Sequence, residues 1–373
     1  MMKRLVLLLS LLPMLLMLKG IQAQPPVIVT SHQATPLYKG PGITYVDHDR
    51  LNPGIEVELV ERNLIGNWVY LQRLTPDQQI AQSGWAQSGY LNLPPELHFS
   101  EIPITTLPDA DPTRAQSLTE RALYEAPLIS LNIESITPIF ERGQARGYAP
   151  NSLSKVGDSV SADPTYLEIM GNDEPILGAY DHLLPTVDYF VDAAIQPSVA
   201  AKIGLSSYVV FDPFWADKTL CQANESPLQC EYRLKQPSFA FIMFGANDVL
   251  SMTYEEYGEQ LEQIVQETLA LDIVPILSTF STHPEHPYHE QALAFNLKVL
   301  EVARHHDLPL INLWSATRAL PDYGLERDHI HMKQSGFNYL KYDSGHETWY
   351  GTSLRNLLTL TMLDQLRHQL DLQ

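Results

Sequence analysis

Residues 237–248 read Pro-Ser-Phe-Ala-Phe-Ile-Met-Phe-Gly-Ala-Asn-Asp. Six consecutive apolar residues, Phe239 to Phe244, stand between Pro237 and Gly245. A short, wholly apolar run between turn residues suits a strand buried on both faces. Two similar runs follow, at Ile273 to Thr279 and Leu308 to Trp314, and a more mixed one, Ser152 to Val156, comes before. Helical patterns separate or follow them. Tyr257, Leu261, Ile264, Val265 and Leu269 share one face of 254–271, and Ala292, Phe295, Val299 and Val302 share one of 289–306. A last helix is expected over 354–370. Apolar strands alternating with helices predict an α/β unit with a parallel sheet covered on both sides. Such sheets gather ligands beyond the carboxyl ends of their strands.

Three polar segments fit that place. Gly157-Asp158-Ser159 follows the strand ending at Val156, and Gly245-Ala246-Asn247-Asp248 follows Phe244. Asp328-His329-Ile330-His331 lies near the C-terminus. Taken singly each has an ordinary structural reading, as helix caps, a turn or a surface ion pair. Together they supply one reaction. A serine on a strand-end turn becomes a nucleophile when a base is near. His331 can be that base, with Asp328, three residues earlier, accepting its other ring N–H. Asn247 has a side-chain NH₂ that can stabilise an oxyanion.

The order and spacing of these segments resemble the SGNH (GDSL-type) hydrolase family over about residues 135–373. The resemblance implies a three-layer α/β/α, flavodoxin-like fold and ester hydrolysis. It implies a nucleophile at Ser159, an orienting carboxylate and base at Asp328 and His331, and an oxyanion hole drawn from Ser159, Gly204 and Asn247, with Gly157, Asp158, Gly245 and Asp248 as supporting motif positions. Two departures stand out. Val160 occupies the position where the name-giving pattern has Leu, and Gly204 is only a loose match to the glycine that donates a second backbone N–H. The family resemblance therefore leaves three readings: a serine esterase, an acyltransferase using the same triad, and a cell-envelope binding protein whose catalysis has weakened. The expected substrate is an ester, including an acylated glycan or cell-wall component, and no cofactor is expected.

Outside this unit the chain changes character. Residues 28–93 hold short β-type runs at Val27–Val29, Val57–Val60, Trp68–Leu71 and Gly84–Ala86. Turn signals separate them at Lys39-Gly40-Pro41-Gly42, Asn52-Pro53-Gly54 and Gly66-Asn67. These residues, with Tyr90-Leu91, resemble a bacterial Src-homology-3-like domain, which implies a small all-β barrel over 24–93 acting as a binding or spacer module. At least two of Trp68, Trp85 and Tyr90 are expected in its core. Prolines 94, 95, 103, 108 and 112 then mark a connector, 94–130, with a short helix near 115–123. The hydrolase-like domain is expected over 131–373, and the small barrel as an independent unit dispensable for hydrolysis of small esters.

At the N-terminus, Lys3 and Arg4 precede a nearly unbroken apolar run from Leu5 to Leu18, and Ala23 offers a cleavage point. This predicts a signal peptide over 1–23 and export to the envelope or beyond. The alternative is a retained segment, the one expected contact with a membrane. Cys221 and Cys230 are the only cysteines of 373 residues. In an oxidising compartment they are most simply a disulfide, with two separate thiols as the alternative. A net charge of −20 opposes a broad grip on nucleic acid. His283, His286 and His289 recur at a metal-like spacing, but Pro284 and Pro287 keep them off one helical face, so no metal is expected. The chain has no Gly-x-Ser-x-Gly elbow.

Overall fold

The computed structural model describes residues 25–171, 174–336 and 340–373. The expected signal peptide, residues 1–23, lies outside the described residues. No helix among them is long and apolar enough to cross a membrane.

Seven strands make the N-terminal part: β1 (Val27–Ser31), β2 (Thr35–Tyr38), β3 (Asp47–Leu51), β4 (Val57–Arg62), β5 (Trp68–Leu74), β6 (Ile80–Gln87) and β7 (Leu91–Asn92). They pair antiparallel in the order β3-β2-β6-β5-β4-β1-β7. Among the described residues β3 and β7 end this sheet and are not paired with each other. Gly54 and Gly66 take left-handed backbone at φ 74° and 78°, at two of the turns that the sequence marks. Trp68 and Trp85 are buried with Leu37, Val69 and Leu71, while Tyr90 is half-buried and meets the Trp349 ring edge-on.

The proline-rich stretch is not a free linker. Its backbone runs beside β4, where Arg62 N–H donates to Pro103 O at 2.9 Å and Thr105 N–H to Arg62 O at 2.8 Å. Arg62 Nε also donates to the carbonyl of the buried Phe99 at 2.6 Å. Ser117 then caps a helix, Leu118–Glu125, by accepting from Glu120 N–H. That helix packs on helix His289–His305. The next residues, β8 (Ile129–Ser130), already belong to the second sheet. The α/β unit thus starts before residue 131, because Leu123, Leu128 and Ile129, beyond Pro112, are buried in its core.

The second sheet contains β8, β9 (Leu153–Gly157), β10 (Phe239–Met243), β11 (Val274–Ser278) and β12 (Leu310–Ile311), in the order β8-β12-β11-β10-β9. Strands β9 to β12 are parallel. The sheet is nevertheless mixed, since β8 pairs antiparallel with β12. A two-residue edge strand entering from the connector needs no crossover helix and is free to run either way. Beyond β9 a single parallel bridge joins Gly157 to Ala201. Every residue of β9 and β10 is buried, as a sheet covered on both faces requires. Helix Tyr254–Ala270 begins with a Thr253–Glu256 capping box and buries Tyr257, Leu261, Ile264 and Val265, the face expected from their spacing. Within β9, Lys155 is buried too, its ammonium 2.5 Å from Glu168 Oε1.

Candidate active site

The nucleophile candidate sits where β9 ends. Ser159 opens a short helix, Ser159–Ala162, and Asp158 caps it by accepting Val160 N–H at 3.0 Å. Gly157 is required there: a Cβ would collide with the Met243 carbonyl of β10 and with Ser161. Ser159 remains half-buried while its neighbours on both sides are buried.

His331 reaches Ser159 from a loop 172 residues later. The loop is a small hairpin, closed by a Leu325–Met332 bridge and by Glu326 N–H donating to His331 O at 2.8 Å. Within it Asp328 Oδ1 accepts the N–H groups of Ile330 and His331, both at 3.0 Å. Asp328 Oδ2 lies 2.6 Å from His331 Nδ1, and His331 Nε2 lies 2.9 Å from Ser159 Oγ. A carboxylate only accepts, so Nδ1–H donates to Asp328 and the neutral ring keeps an Nε2 lone pair for the Ser159 hydroxyl. Burial pushes the Asp328 carboxyl up, but the hydrogen bonds from His331 and Ile330 outweigh it and hold it below its ordinary value.

The Gly245–Asp248 turn meets the same end of the sheet. Asp248, fully buried, accepts from Ser207 N–H at 2.8 Å, Ser207 Oγ at 2.6 Å and Gly245 N–H at 2.9 Å. Asn247 Nδ2 donates to Leu205 O at 3.0 Å. These bonds tie segment 205–207 to the turn. Gly204, with φ 79°, immediately precedes that segment. On its other side, Lys202 N–H donates to Gly157 O at 3.2 Å. The strand-end glycine, Gly204 and Asn247 are thus drawn together by one loop.

Two features of this region are not legible in the motifs. Arg355, on the last helix Gly351–Gln369, is buried and donates through Nη1 to Val160 O at 2.6 Å and through Nη2 to Ser161 Oγ at 3.1 Å. Its guanidinium also lies 3.5 Å from the Tyr166 ring centre. Its only sequence signal is a charged residue in the apolar first half of a terminal helix, Gly351–Gln369. Asp158 Oδ2 is buried with no hydrogen-bond partner, and burial pushes this carboxyl up to about 7.

Cys221 and Cys230 form a disulfide, which pins the preceding loop to helix Pro227–Lys235. Of the three regularly spaced histidines, His283 lies beside Glu285 and His329, with one ligand-type atom of each within 4.8 Å of the other two.

Residues 157–338 match the GDSL-like Lipase/Acylhydrolase family, which supports a hydrolase acting on ester bonds. No curated protein matches the chain. Among solved structures, an α/β hydrolase, LAE5, from the metagenome of Lake Arreo, Spain, is 19% identical, with a TM-score of 0.37 over 58% of this chain and 97% of that one. A lipase/acylhydrolase from Enterococcus faecalis is 24% identical, with a TM-score of 0.34 over 52% of this chain and 92% of its own. The acetylxylan esterase Axe2 from Geobacillus stearothermophilus is 16% identical, with a TM-score of 0.38 over 57% and 93%.

Proposed function

We propose, from the GDSL-like lipase/acylhydrolase match over residues 157–338, that the chain is an exported serine esterase working through Ser159, His331 and Asp328. One observation carries this reading: the unbroken hydrogen-bonded path from Ser159 Oγ through the His331 ring to Asp328 Oδ2. His331 Nε2 takes the hydroxyl proton as Ser159 Oγ attacks the ester carbonyl. Asp328 stabilises the imidazolium that results. The oxyanion is received by the N–H groups of Ser159 and Gly204 and by the Nδ2 hydrogen of Asn247 that Leu205 does not use. Collapse returns the proton from His331 to the departing alcohol and leaves an acyl-Ser159. Water, deprotonated by the same histidine, then releases the acid. No cofactor enters any step.

The finer parts of the reading rest on the sequence. The apolar N-terminal run supports export, and the Src-homology-3-like resemblance, which implies no particular ligand, fits a protein of the cell envelope, where acylated glycans are one class of ester to test. The flavodoxin-like order is kept if the Gly157–Ala201 bridge stands for a strand reduced to one pair. The test is a panel of aryl esters of increasing acyl length and of acetylated glycans, offered to the purified protein and to Ser159→Ala. Fluorophosphonate labelling at Ser159 and loss of turnover in the variant are expected. Labelling elsewhere, with activity intact in Ser159→Ala, refutes the assignment.

A further inference from the structure

The loop after β11 and the loop carrying Asp328 and His331 meet at a cluster of imidazoles that the triad does not use. His283 and His329 stack face to face, ring centres 3.8 Å apart and planes 15° from parallel. Tyr323 meets His283 edge-on at 5.1 Å. Glu285 N–H donates to His283 Nδ1 at 3.1 Å, a tight turn that brings the Glu285 carboxylate back to the ring. One ligand-bearing atom from each of His283, Glu285 and His329 lies within 4.8 Å of the other two.

Backbone shape accounts for the meeting. Pro284 and Pro287 keep 283–289 out of a helix until His289, so His283 projects from a loop. His329 takes left-handed backbone, φ 61°, between Asp328 and Ile330, whose N–H donates to Asp328 Oδ1. Its side chain therefore stacks on His283 while His331 turns to Ser159. Glu285 and Asp322 set negative charge beside His283, against Arg318, whose guanidinium already donates to Thr282 O and Ser281 Oγ.

We propose that His283, Glu285 and His329 form a binding site for a divalent transition-metal ion of the zinc type. Two neutral imidazoles and one carboxylate suit such an ion and not calcium or magnesium, which prefer sets of oxygens. Water completes the coordination, since Glu285 is exposed. On binding, the rings part from their parallel stack to aim at one ion, and His283 gives up the Glu285 N–H or offers its other nitrogen. The ion fastens loop 283–285 to His329, the residue after Asp328, and so braces the Asp328–His331 pair.

The test is calorimetric titration of chelator-treated full chain with Zn²⁺. Saturable one-to-one binding is expected at pH 7.5, weaker at pH 5.5 where imidazoles protonate, and unaffected by excess Ca²⁺. His283→Ala and His329→Ala should each weaken it by about tenfold or more, as losses around a metal do, with circular dichroism unchanged. His286→Ala and His305→Ala should bind as the parent does. X-ray absorption at the zinc edge should count two imidazoles. Absence of saturable binding, equal binding by the His283→Ala/His329→Ala double variant, or loss confined to His331→Ala would each overturn the site.

Discussion

Gly89 of the N-terminal sheet unit lies against Thr348 of the α/β unit so closely that a Cβ on Gly89 would collide with Thr348 Oγ1. Gly345 presses on Gly89 in the same way, its would-be Cβ 2.5 Å from Gly89 Cα. Tyr90 meets Trp349, and Gln87 Nε2 donates to Ala319 O at 3.3 Å. The two units interlock, which opposes the dispensable module that the proline pattern suggests. Gly89→Val should therefore destabilise the whole chain by about 1–3 kcal/mol, the usual cost of overpacking. Urea unfolding followed by fluorescence would measure it. Removing residues 24–93 should leave a poorly folded remainder; a stable, active remainder would show that the contact is incidental.

The path from that contact leads toward the active site. Gly351 cannot carry a Cβ because Gly324 O and Met332 stand against it, and Thr352 N–H donates to Lys333 O at 3.1 Å. Residues 324 and 332–333 are the feet of the hairpin that holds Asp328 and His331. Asp328→Asn should keep this hairpin but leave His331 without its charge and favour the wrong tautomer. Losses up to about 10⁴ in kcat accompany that change in a comparable triad. His329→Ala, assayed on a small aryl ester without added metal, should lose far less, since its ring is not bonded to Ser159. A steady-state comparison of both variants with the parent decides, and an inactive His329→Ala beside an active Asp328→Asn would reverse the assignment of the base.

Arg355 should matter although it lies on the far side of Ser159. It holds the first turn of the nucleophile helix through Val160 O and Ser161 Oγ. Arg355→Met removes both bonds and leaves those groups unpaired in the core, at about 1–3 kcal/mol each. Arg355→Lys keeps the charge without the planar fork and should rescue little. Lower kcat with KM nearly unchanged is expected in both variants. A change confined to stability would limit Arg355 to packing.

What could be read from the chain beforehand follows the range of each interaction. Phe239 to Phe244 could be recognised as a buried strand because the evidence is local. Ser159, Asn247, Asp328 and His331 were legible because each sits in a short, characteristic segment. The strand β9 was only partly legible, since buried Lys155 breaks its apolar run and its partner Glu168 comes from beyond the next turn. The edge strand β8 is two residues long and has no periodicity to detect. His283 and His329 lie 46 positions apart, and prolines around His283 argued against a site that needed only one of the three spaced histidines. Arg355 and Glu347 acquire their meaning from partners far away in the chain.

Glu347 is the sharpest case, and its pH behaviour can be worked out. It is 1% exposed where the units join, with Oε1 accepting from Tyr180 OH at 3.2 Å and Ser88 Oγ at 3.5 Å, and Oε2 without a hydrogen-bond partner. Tyr342 and Asp343 also face this pocket. Burial, with some help from the Asp343 charge, pushes the carboxyl from 4.5 up to about 7. The folded form thus holds a proton that the unfolded chain releases first. Where the folded state binds more protons, stability falls as pH rises. The loss begins near 4.5, the unfolded value, and is complete above about 7. A shift of this size corresponds to about 3 kcal/mol. Glu347→Gln cannot ionise, so between pH 4 and pH 8 the parent should lose up to about 3 kcal/mol more stability than the variant. Comparing the two proteins at both pH values cancels the fixed cost of the new amide and the titration of every other group. Parallel losses in parent and variant would mean that Glu347 is ionised at the joint throughout, with water or a cation reaching Oε2.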